Sequence, residues 1–154
     1  MVSVIQRIDH VNLVVDDLEA MIAFYRDLLG MRLTHRATLR GPWIQRTSGL
    51  AEAEGDVAFL ELGEGPRIEL LRYRQPEGTR PERLAEPNTK GLRHFAIRVA
   101  DVDGLVAAMR AVGVRFLSEV QDAPAEQLHL GDLRKRMVYC HDPEGNLLEL
   151  CEYR

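Results

Sequence analysis

The amino-acid sequence alternates apolar and polar residues in two stretches that closely resemble each other. They cover residues 8–15 and 92–99, and each carries a histidine, His10 or His94, at the same place. Alternation of this kind predicts a β-strand with one buried face. Each stretch continues into apolar residues at helical spacing, so a strand followed by a helix is predicted twice.

A second matched pair of segments closes the repeat. Ile68-Glu69-Leu70-Leu71 resembles Leu148-Glu149-Leu150-Cys151, and both segments have the composition of strands. The pattern between the matched ends predicts the order β-α-β-β-β in each half. The fold class is therefore expected to be α+β, with a helix covering one face of each sheet.

The pattern also sets approximate boundaries. The predicted strands cover residues 4–15, 31–37, 57–62, 67–73, 92–99, 114–120, 134–141 and 147–153. The predicted helices run from Asp16 or Asp17 to about Leu29 and over 101–112. Loop signals at Gly41-Pro42-Trp43 and Ser48-Gly49 predict an extended insertion over 38–55. Residues 1–154 are expected to form one domain of two modules, about 4–74 and 91–154. The linker of about 75–90 is proline-rich, with room for a short helix at 81–85.

The same alternation predicts what lies on the face of each sheet that no helix covers. Apolar residues of the first strand face its helix, so His10 faces away from it, and the same parity turns His94 away from the second helix. In the closing strands, parity places Glu69 and Glu149 on these helix-free faces. Two histidines and two glutamates are therefore expected on faces that are otherwise apolar.

These four side chains suit a divalent cation. Buried carboxylates without partners are costly, whereas two neutral imidazoles and two carboxylates balance the charge of such an ion. The nitrogen and oxygen ligands suit Ni, Co, Zn, Mn or Fe, and an octahedral ion keeps two positions open for substrate oxygens. For any one residue the alternative is a structural histidine, or a glutamate paired with Arg67, Arg72 or Arg98.

Composition narrows the class of protein. The formal net charge of −4 argues against general nucleic-acid binding, and no apolar stretch is long enough to span a membrane. The N-terminus lacks a signal-peptide pattern, and Cys140 and Cys151 have no zinc-type spacing. A cytoplasmic protein with free thiols is expected.

Together, the motifs resemble the vicinal oxygen chelate superfamily, the glyoxalase/bleomycin-resistance/extradiol-dioxygenase group. They are Ile8-Asp9-His10-Val11, Phe24-Tyr25-Arg26-Asp27-Leu28-Leu29-Gly30, Ile68-Glu69-Leu70-Leu71, His94-Phe95-Ala96, Asp142-Pro143-Glu144-Gly145-Asn146 and Leu148-Glu149-Leu150. The resemblance implies two β-α-β-β-β modules that form a U-shaped mixed sheet around one metal ion. Carried over by position, the ligands are His10, Glu69, His94 and Glu149.

The ligand set is most similar to those of glyoxalase I and of methylmalonyl-CoA epimerase, which has glutamine at the place of Glu69. The resemblance implies a lyase, isomerase or epimerase that moves a proton next to the carbonyl of a small carbonyl or acyl substrate. The metal would hold the resulting enediolate, with Glu149 as the first candidate for the base and Glu69 as the second. The chain departs from these enzymes at three places. Val14 stands where glyoxalase I has an arginine for glutathione, and Tyr73 stands where it has an asparagine. Ala58 stands where the epimerase has a separate glutamate base.

Two other functions stay open. An Fe(II) extradiol-type dioxygenase needs only two histidines and one carboxylate, here His10, His94 and Glu149. A metal-free drug-binding protein, as in bleomycin resistance, needs no metal ligands, so the intact set of four counts against it.

The remaining candidates would contact the substrate. Arg98 could hold an anionic group or pair with a glutamate, and Tyr73, Tyr153 and Trp43 are candidate pocket liners. The run Arg134-Lys135-Arg136 could attract a phosphate or carboxylate, but it is interpreted as mostly solvated surface, as short charge runs usually are. A homodimer is expected, because one pair of modules leaves sheet edges that a second copy would cover.

Overall fold

The structure is a computed structural model, and it describes residues 4–128 and 131–154. The chain divides into two compact units, Met1–Thr79 and Arg80–Arg154. The strands are β1 (His10–Val14), β2 (Arg32–Leu39), β3 (Glu54–Glu61), β4 (Arg67–Gln75), β5 (His94–Arg98), β6 (Gln121–Asp122), β7 (Lys135–His141) and β8 (Leu147–Tyr153). The helices are α1 (Leu18–Ala23), α2 (Pro42–Ser48), α3 (Val102–Ala111) and α4 (Ala125–Leu128), and α1 continues into a π-helical turn at Phe24–Leu28.

Each unit contains one four-stranded mixed sheet. The strand orders are β1-β4-β3-β2 in the first unit and β5-β8-β7-β6 in the second. The first and last strands of each unit pair in parallel, and the other neighbours are antiparallel. The predicted α+β class and the repeated strand–helix–strand–strand–strand order are confirmed.

Both predicted helices form, and an aspartate begins each one. The Asp17 carboxylate accepts a hydrogen bond from the backbone N–H of Ala20 at 3.0 Å, and Asp101 accepts from Gly104 at 2.9 Å. Each contact satisfies a backbone donor that the first turn of a helix leaves free. The repeated cap fixes where the chain leaves the histidine strand and turns onto the sheet.

The extended insertion predicted over 38–55 is wrong, because its middle is helix α2. Pro42 occupies the first turn of this helix, after Gly41 with φ 89°, and Gly49 ends it in the left-handed conformation with φ 73°. Proline favours a helix start and glycine a helix end, so the residues taken as loop signals are the two caps.

The strand predicted over 114–120 is also wrong. The described backbone forms only an isolated bridge between Phe116 and Cys140 there, and the two-residue β6 follows it. The Arg110 guanidinium donates to the Ser118 carbonyl at 3.0 Å and to the Glu119 carboxylate at 2.8 Å. The pairing with β7 also shifts by two residues between the isolated bridge and β6, so no continuous ladder forms here.

Two smaller differences concern the segments before the parallel strands. The first strand spans only His10–Val14 instead of 4–15. Residues 82–85 form turns, with the Leu84 N–H donating to the Pro81 carbonyl at 3.3 Å, and no short helix forms at 81–85.

Each unit has its own buried apolar residues. They include Met21, Ile22, Tyr25, Leu60 and Leu70 in the first unit and Val102, Met109, Val138, Leu148 and Leu150 in the second. They lie on the helices and on the strand faces that the helices cover, as the alternation predicts. None of the helices in the described ranges has the length and apolar character needed to cross a membrane.

Candidate metal-binding residues

The first candidate pair, His10 and Glu69, lies on the neighbouring parallel strands β1 and β4. Their register sets Asn12 opposite Glu69, one pleat from His10. The Nε2 atom of His10 lies 3.3 Å from Oε2 of Glu69. The two side chains therefore share one face of the first sheet, as the parity of the strands predicts.

The residue before His10 orients its ring. The Asp9 carboxylate lies 2.9 Å from Nδ1 of His10 and also contacts the Arg67 guanidinium. The hydrogen bond from His10, followed by that from Arg67, lowers the pKa of Asp9, so this group is ionised and can only accept. The proton of a neutral His10 is therefore on Nδ1, and the lone pair of Nε2 faces Glu69.

Asn12 fixes the glutamate of the same pair. Its amide nitrogen donates to Oε2 of Glu69 at 2.8 Å. With Nδ1 of His10 protonated, the lone pairs of Nε2 and Oε2 face each other across 3.3 Å. Two acceptors in that position repel unless a proton or a cation lies between them, so the donor set fits a metal ion.

The second candidate pair, His94 and Glu149, lies on β5 and β8. Nε2 of His94 is again 3.3 Å from Oε2 of the glutamate, and Glu149 is only 4% exposed. The geometry of the first pair thus recurs in the second unit, although the sequences around the two histidines differ.

Lys135 on β7 supplies a cation beside the second pair. Its Nζ lies 2.5 Å from Oε1 of Glu149, and the two groups form an ion pair. Burial disfavours the charge of Lys135, but the contact with Glu149 outweighs it and raises the pKa of the ammonium group.

The predicted pocket liners divide into two groups. Arg98 and Tyr153 contact each other, with the guanidinium carbon 5.0 Å from the ring centre, and Lys135 lies 5.9 Å from the same ring. Tyr73 is half-buried on β4, opposite Gly55 of β3. Trp43 lies on α2 and is 51% exposed. Their contact with a substrate stays a prediction.

Among the described residues, no third ligand joins either pair within its own unit. Across residues 4–128 and 131–154, no group of three or more His, Cys, Asp and Glu side chains is placed to hold a metal ion. Each pair supplies one nitrogen and one oxygen ligand. The use of all four by a single ion stays a prediction.

Three residues around these pairs were not predicted from the sequence: Asp9, Asn12 and Lys135. The run Arg134-Lys135-Arg136 was interpreted as mostly solvated surface, which is wrong for its last two members, because the side chains of Lys135 and Arg136 are each only 16% exposed. The pairing of Lys135 with Tyr153 places it on the face that carries Glu149. No sequence signal singled it out, because the side of β7 that faces Glu149 depends on the register with β8.

Comparisons with known proteins agree with the fold and with the motifs. Residues 7–150 match the family model described as the Glyoxalase/Bleomycin resistance protein/Dioxygenase superfamily. A 2-epi-5-epi-valiolone epimerase of an Actinomyces species is 33% identical over 150 residues, covering 93% of this chain and 77% of that protein. Human mitochondrial methylmalonyl-CoA epimerase is 27% identical over 146 residues, covering 94% and 72%. The crystal structure of a glyoxalase family protein from Bacillus cereus has a TM-score of 0.86 and 28% identity, and covers 99% of this chain and 97% of its own. The expected glyoxalase-like fold is confirmed.

Proposed function

The chain belongs to the glyoxalase/bleomycin resistance/dioxygenase superfamily, and we propose that it is a divalent-metal-dependent lyase, isomerase or epimerase. The reaction is a proton transfer at the carbon next to a carbonyl group. Relatives named as epimerases match nearly the whole chain and support this class of reaction.

One observation carries the proposal: a histidine–glutamate pair, 3.3 Å between Nε2 and Oε2, recurs at the matched place of both units. A single histidine beside a glutamate on neighbouring strands needs no functional explanation. The same pair at the matched place of both units favours a common function. We propose that His10, Glu69, His94 and Glu149 together bind one cation, whose charge two imidazoles and two carboxylates balance. A cation held there would stabilise the negative charge that develops on the substrate oxygens.

The chain's own residues would then move the proton. Glu149 is the first candidate for the base: its Oε2 faces His94, and its Oε1 forms an ion pair with Lys135. Glu69 is second, because its Oε2 is already held by Asn12. The base takes the proton from carbon as the electron pair moves to the carbonyl oxygen. Return of the proton to the same carbon from the other face epimerises it, and return to the neighbouring carbon isomerises the substrate.

Solvent deuterium exchange tests this function directly. The protein, supplied in turn with Ni, Co, Zn, Mn and Fe(II), is incubated in D₂O with α-hydroxyketones and with 2-methylacyl-CoA thioesters. The NMR signal of the proton next to the carbonyl is followed. We expect its loss on at least one substrate, and Glu149→Gln should slow it by about 10² or more, the usual contribution of a general base.

A matched substitution controls for general damage. Glu64→Gln removes a carboxylate from an exposed turn between β3 and β4 and should leave the exchange rate unchanged. Exchange that persists in Glu149→Gln would remove this residue as the base. Oxygen uptake with a catechol by the iron-loaded protein, without exchange on any substrate, would contradict the proposal and support the dioxygenase alternative.

A further inference from the structure

The two units differ at two matched positions beside the second glutamate. Arg98 on β5 lies opposite Cys151, and its counterpart in the first unit, Val14, lies opposite Leu71. Lys135 lies opposite Tyr153, and its counterpart, Gly55, lies opposite Tyr73. The helix-free face of the second sheet therefore carries two cations where that of the first carries an apolar residue and a glycine.

The two cations lie around one aromatic ring. Arg98 is 5.0 Å and Lys135 is 5.9 Å from the ring centre of Tyr153. Arg98 is exposed and forms an ion pair with none of the described residues, and Glu149 is the one described carboxylate that pairs with Lys135. A guanidinium over a ring keeps the N–H groups at its edge free to bind another group.

We infer that Arg98, Lys135 and Tyr153 form a binding site for a phosphate group of the substrate. The charges of this cluster give the reason. Two cations face one carboxylate, so an excess positive charge remains even when Lys135 pairs with Glu149. If Glu149 serves as a metal ligand, both cations are free for a partner, and a phosphate dianion balances them. Arginine and lysine are the usual phosphate-binding side chains.

The positions of the two cations limit the length of the substrate. Lys135 lies 2.5 Å from Oε1 of Glu149, the proposed base, so one end of the site is next to the reacting carbon. Arg98 lies opposite Cys151, two residues beyond Glu149 on β8, roughly 7 Å along the strands at about 3.3 Å per residue. A phosphate several bonds from the carbonyl suits this span. The site therefore favours a phosphorylated hydroxycarbonyl compound of sugar size, an identification that rests on the proposed function for its carbonyl end.

A matched pair of probes tests the inference. Binding of D-ribulose 5-phosphate and of D-ribulose to the Co²⁺-supplied protein is measured by calorimetry. We expect the phosphate ester to bind at least tenfold more tightly. Arg98→Gln and Lys135→Gln should each weaken its binding about tenfold, the effect of losing one charge-assisted hydrogen bond, and weaken that of D-ribulose less. Arg26→Gln, at an arginine paired with Asp27 in the first unit, is the control and should change neither.

The outcomes separate this inference from the proposed function. Equal affinity for the two probes would overturn the phosphate site, even if the protein exchanges protons of D-ribulose. So would an equal loss of affinity in Arg26→Gln, or displacement of D-ribulose 5-phosphate by acetate as effectively as by inorganic phosphate. Selective binding that depends on Arg98 and Lys135, without metal or proton exchange, would support the phosphate site and contradict the proposed reaction. Circular dichroism spectra that match the wild type show that the variants are folded.

Discussion

At the scale of single residues, the two candidate pairs are oriented by different means. The first histidine is held by Asp9, and its glutamate by Asn12. The residue before His94 is Arg93, whose guanidinium donates to the Leu84 carbonyl at 3.0 Å. The second pair has Lys135 beside its carboxylate instead. Removal of an orienting residue should therefore affect the two pairs differently.

The role of Asp9 can be tested by metal affinity. Asp9→Asn removes the charge that holds Nδ1 of His10, and we expect the affinity for Co²⁺ to fall about tenfold or more, as outer partners of metal-bound histidines usually contribute. Competition with a chromophoric chelator measures the change. Asp27→Asn, at an exposed aspartate paired with Arg26, should leave the affinity at the wild-type value. Equal affinities for wild type and Asp9→Asn would show that this contact does not orient a ligand.

Sequence patterns predicted the placement of the four candidate ligands better than that of their neighbours. Alternation within a strand identifies which residues share a face, and that was sufficient for His10 with Glu69 and for His94 with Glu149. Lys135 could not be placed in the same way, because a run of three basic residues resembles solvated surface. Its contact with Glu149 depends on the register between β7 and β8, which the sequence alone does not reveal.

At the scale of elements, the close approach of β3 and β4 limits the residue at position 55. A Cβ atom on Gly55 would lie 2.7 Å from the backbone oxygen of Arg72 and 3.3 Å from Cδ1 of Leu71. The first distance is too short for a real contact, and the obstacle is backbone. The glycine is thus required by the packing of the sheet, which is also why no cation occupies this position in the first unit.

We expect Gly55→Ala to lower the free energy of unfolding by about 1–3 kcal/mol, the usual cost of overpacking. Urea denaturation followed by circular dichroism measures it. Gly78→Ala is the matched control, because a Cβ atom there has no neighbour within 4 Å, and it should leave stability nearly unchanged. A Gly55→Ala variant as stable as Gly78→Ala would contradict the close approach.

The start of α3 depends on a buried carboxylate from β8. Oε2 of Glu152 accepts a hydrogen bond from the backbone N–H of Val102 at 3.0 Å, and its other oxygen pairs with Arg154. The bond from Arg154 and then that from Val102 lower the pKa of Glu152 below the ordinary value of 4.5. This carboxylate therefore stabilises the fold above about pH 4.5, and the contribution is lost as pH falls through the lower pKa of the folded state.

Glu152→Gln should consequently make stability less dependent on pH in that acidic range. We expect the wild type to lose stability more steeply than the variant as the pH falls below about 4.5, because the variant lacks the proton that the Glu152 carboxylate binds on unfolding. Urea midpoints at a series of pH values measure the two slopes. Glu64→Gln, in its exposed turn, should keep the wild-type slope. Parallel slopes for wild type and Glu152→Gln would contradict the role of this carboxylate.

Strands and helices were predicted correctly where a single pattern of apolar and polar residues dominated the segment. Strands with one buried face and helices with an aspartate cap were found, whereas α2 was missed because glycine and proline mark both loops and helix ends. The segment 114–120 has strand-like alternation, but its pairing with β7 shifts by two residues before β6, which interrupts the ladder. The register between two strands is tertiary, so a local pattern does not reveal it.

At the scale of the whole molecule, the chain is a duplicated unit whose two copies keep one chemical feature. The copies share their strand order, their aspartate-capped helix and the 3.3 Å histidine–glutamate distance. They differ in the residues that surround it, with Asp9 and Asn12 in one copy and Arg98 and Lys135 in the other. This division favours a common metal function with asymmetric substrate recognition. The expected homodimer stays a prediction.

The content of metal in the purified protein tests the central claim most directly. One divalent ion per chain is expected, by mass spectrometry of the metal after equilibration with Co²⁺ and removal of the excess. His10→Ala and Glu149→Gln, which alter different pairs, should each reduce it to well below half, while Glu64→Gln should retain one ion. A wild-type protein without metal, two ions per chain, or full occupancy in both His10→Ala and Glu149→Gln would contradict a single ion bound by both pairs.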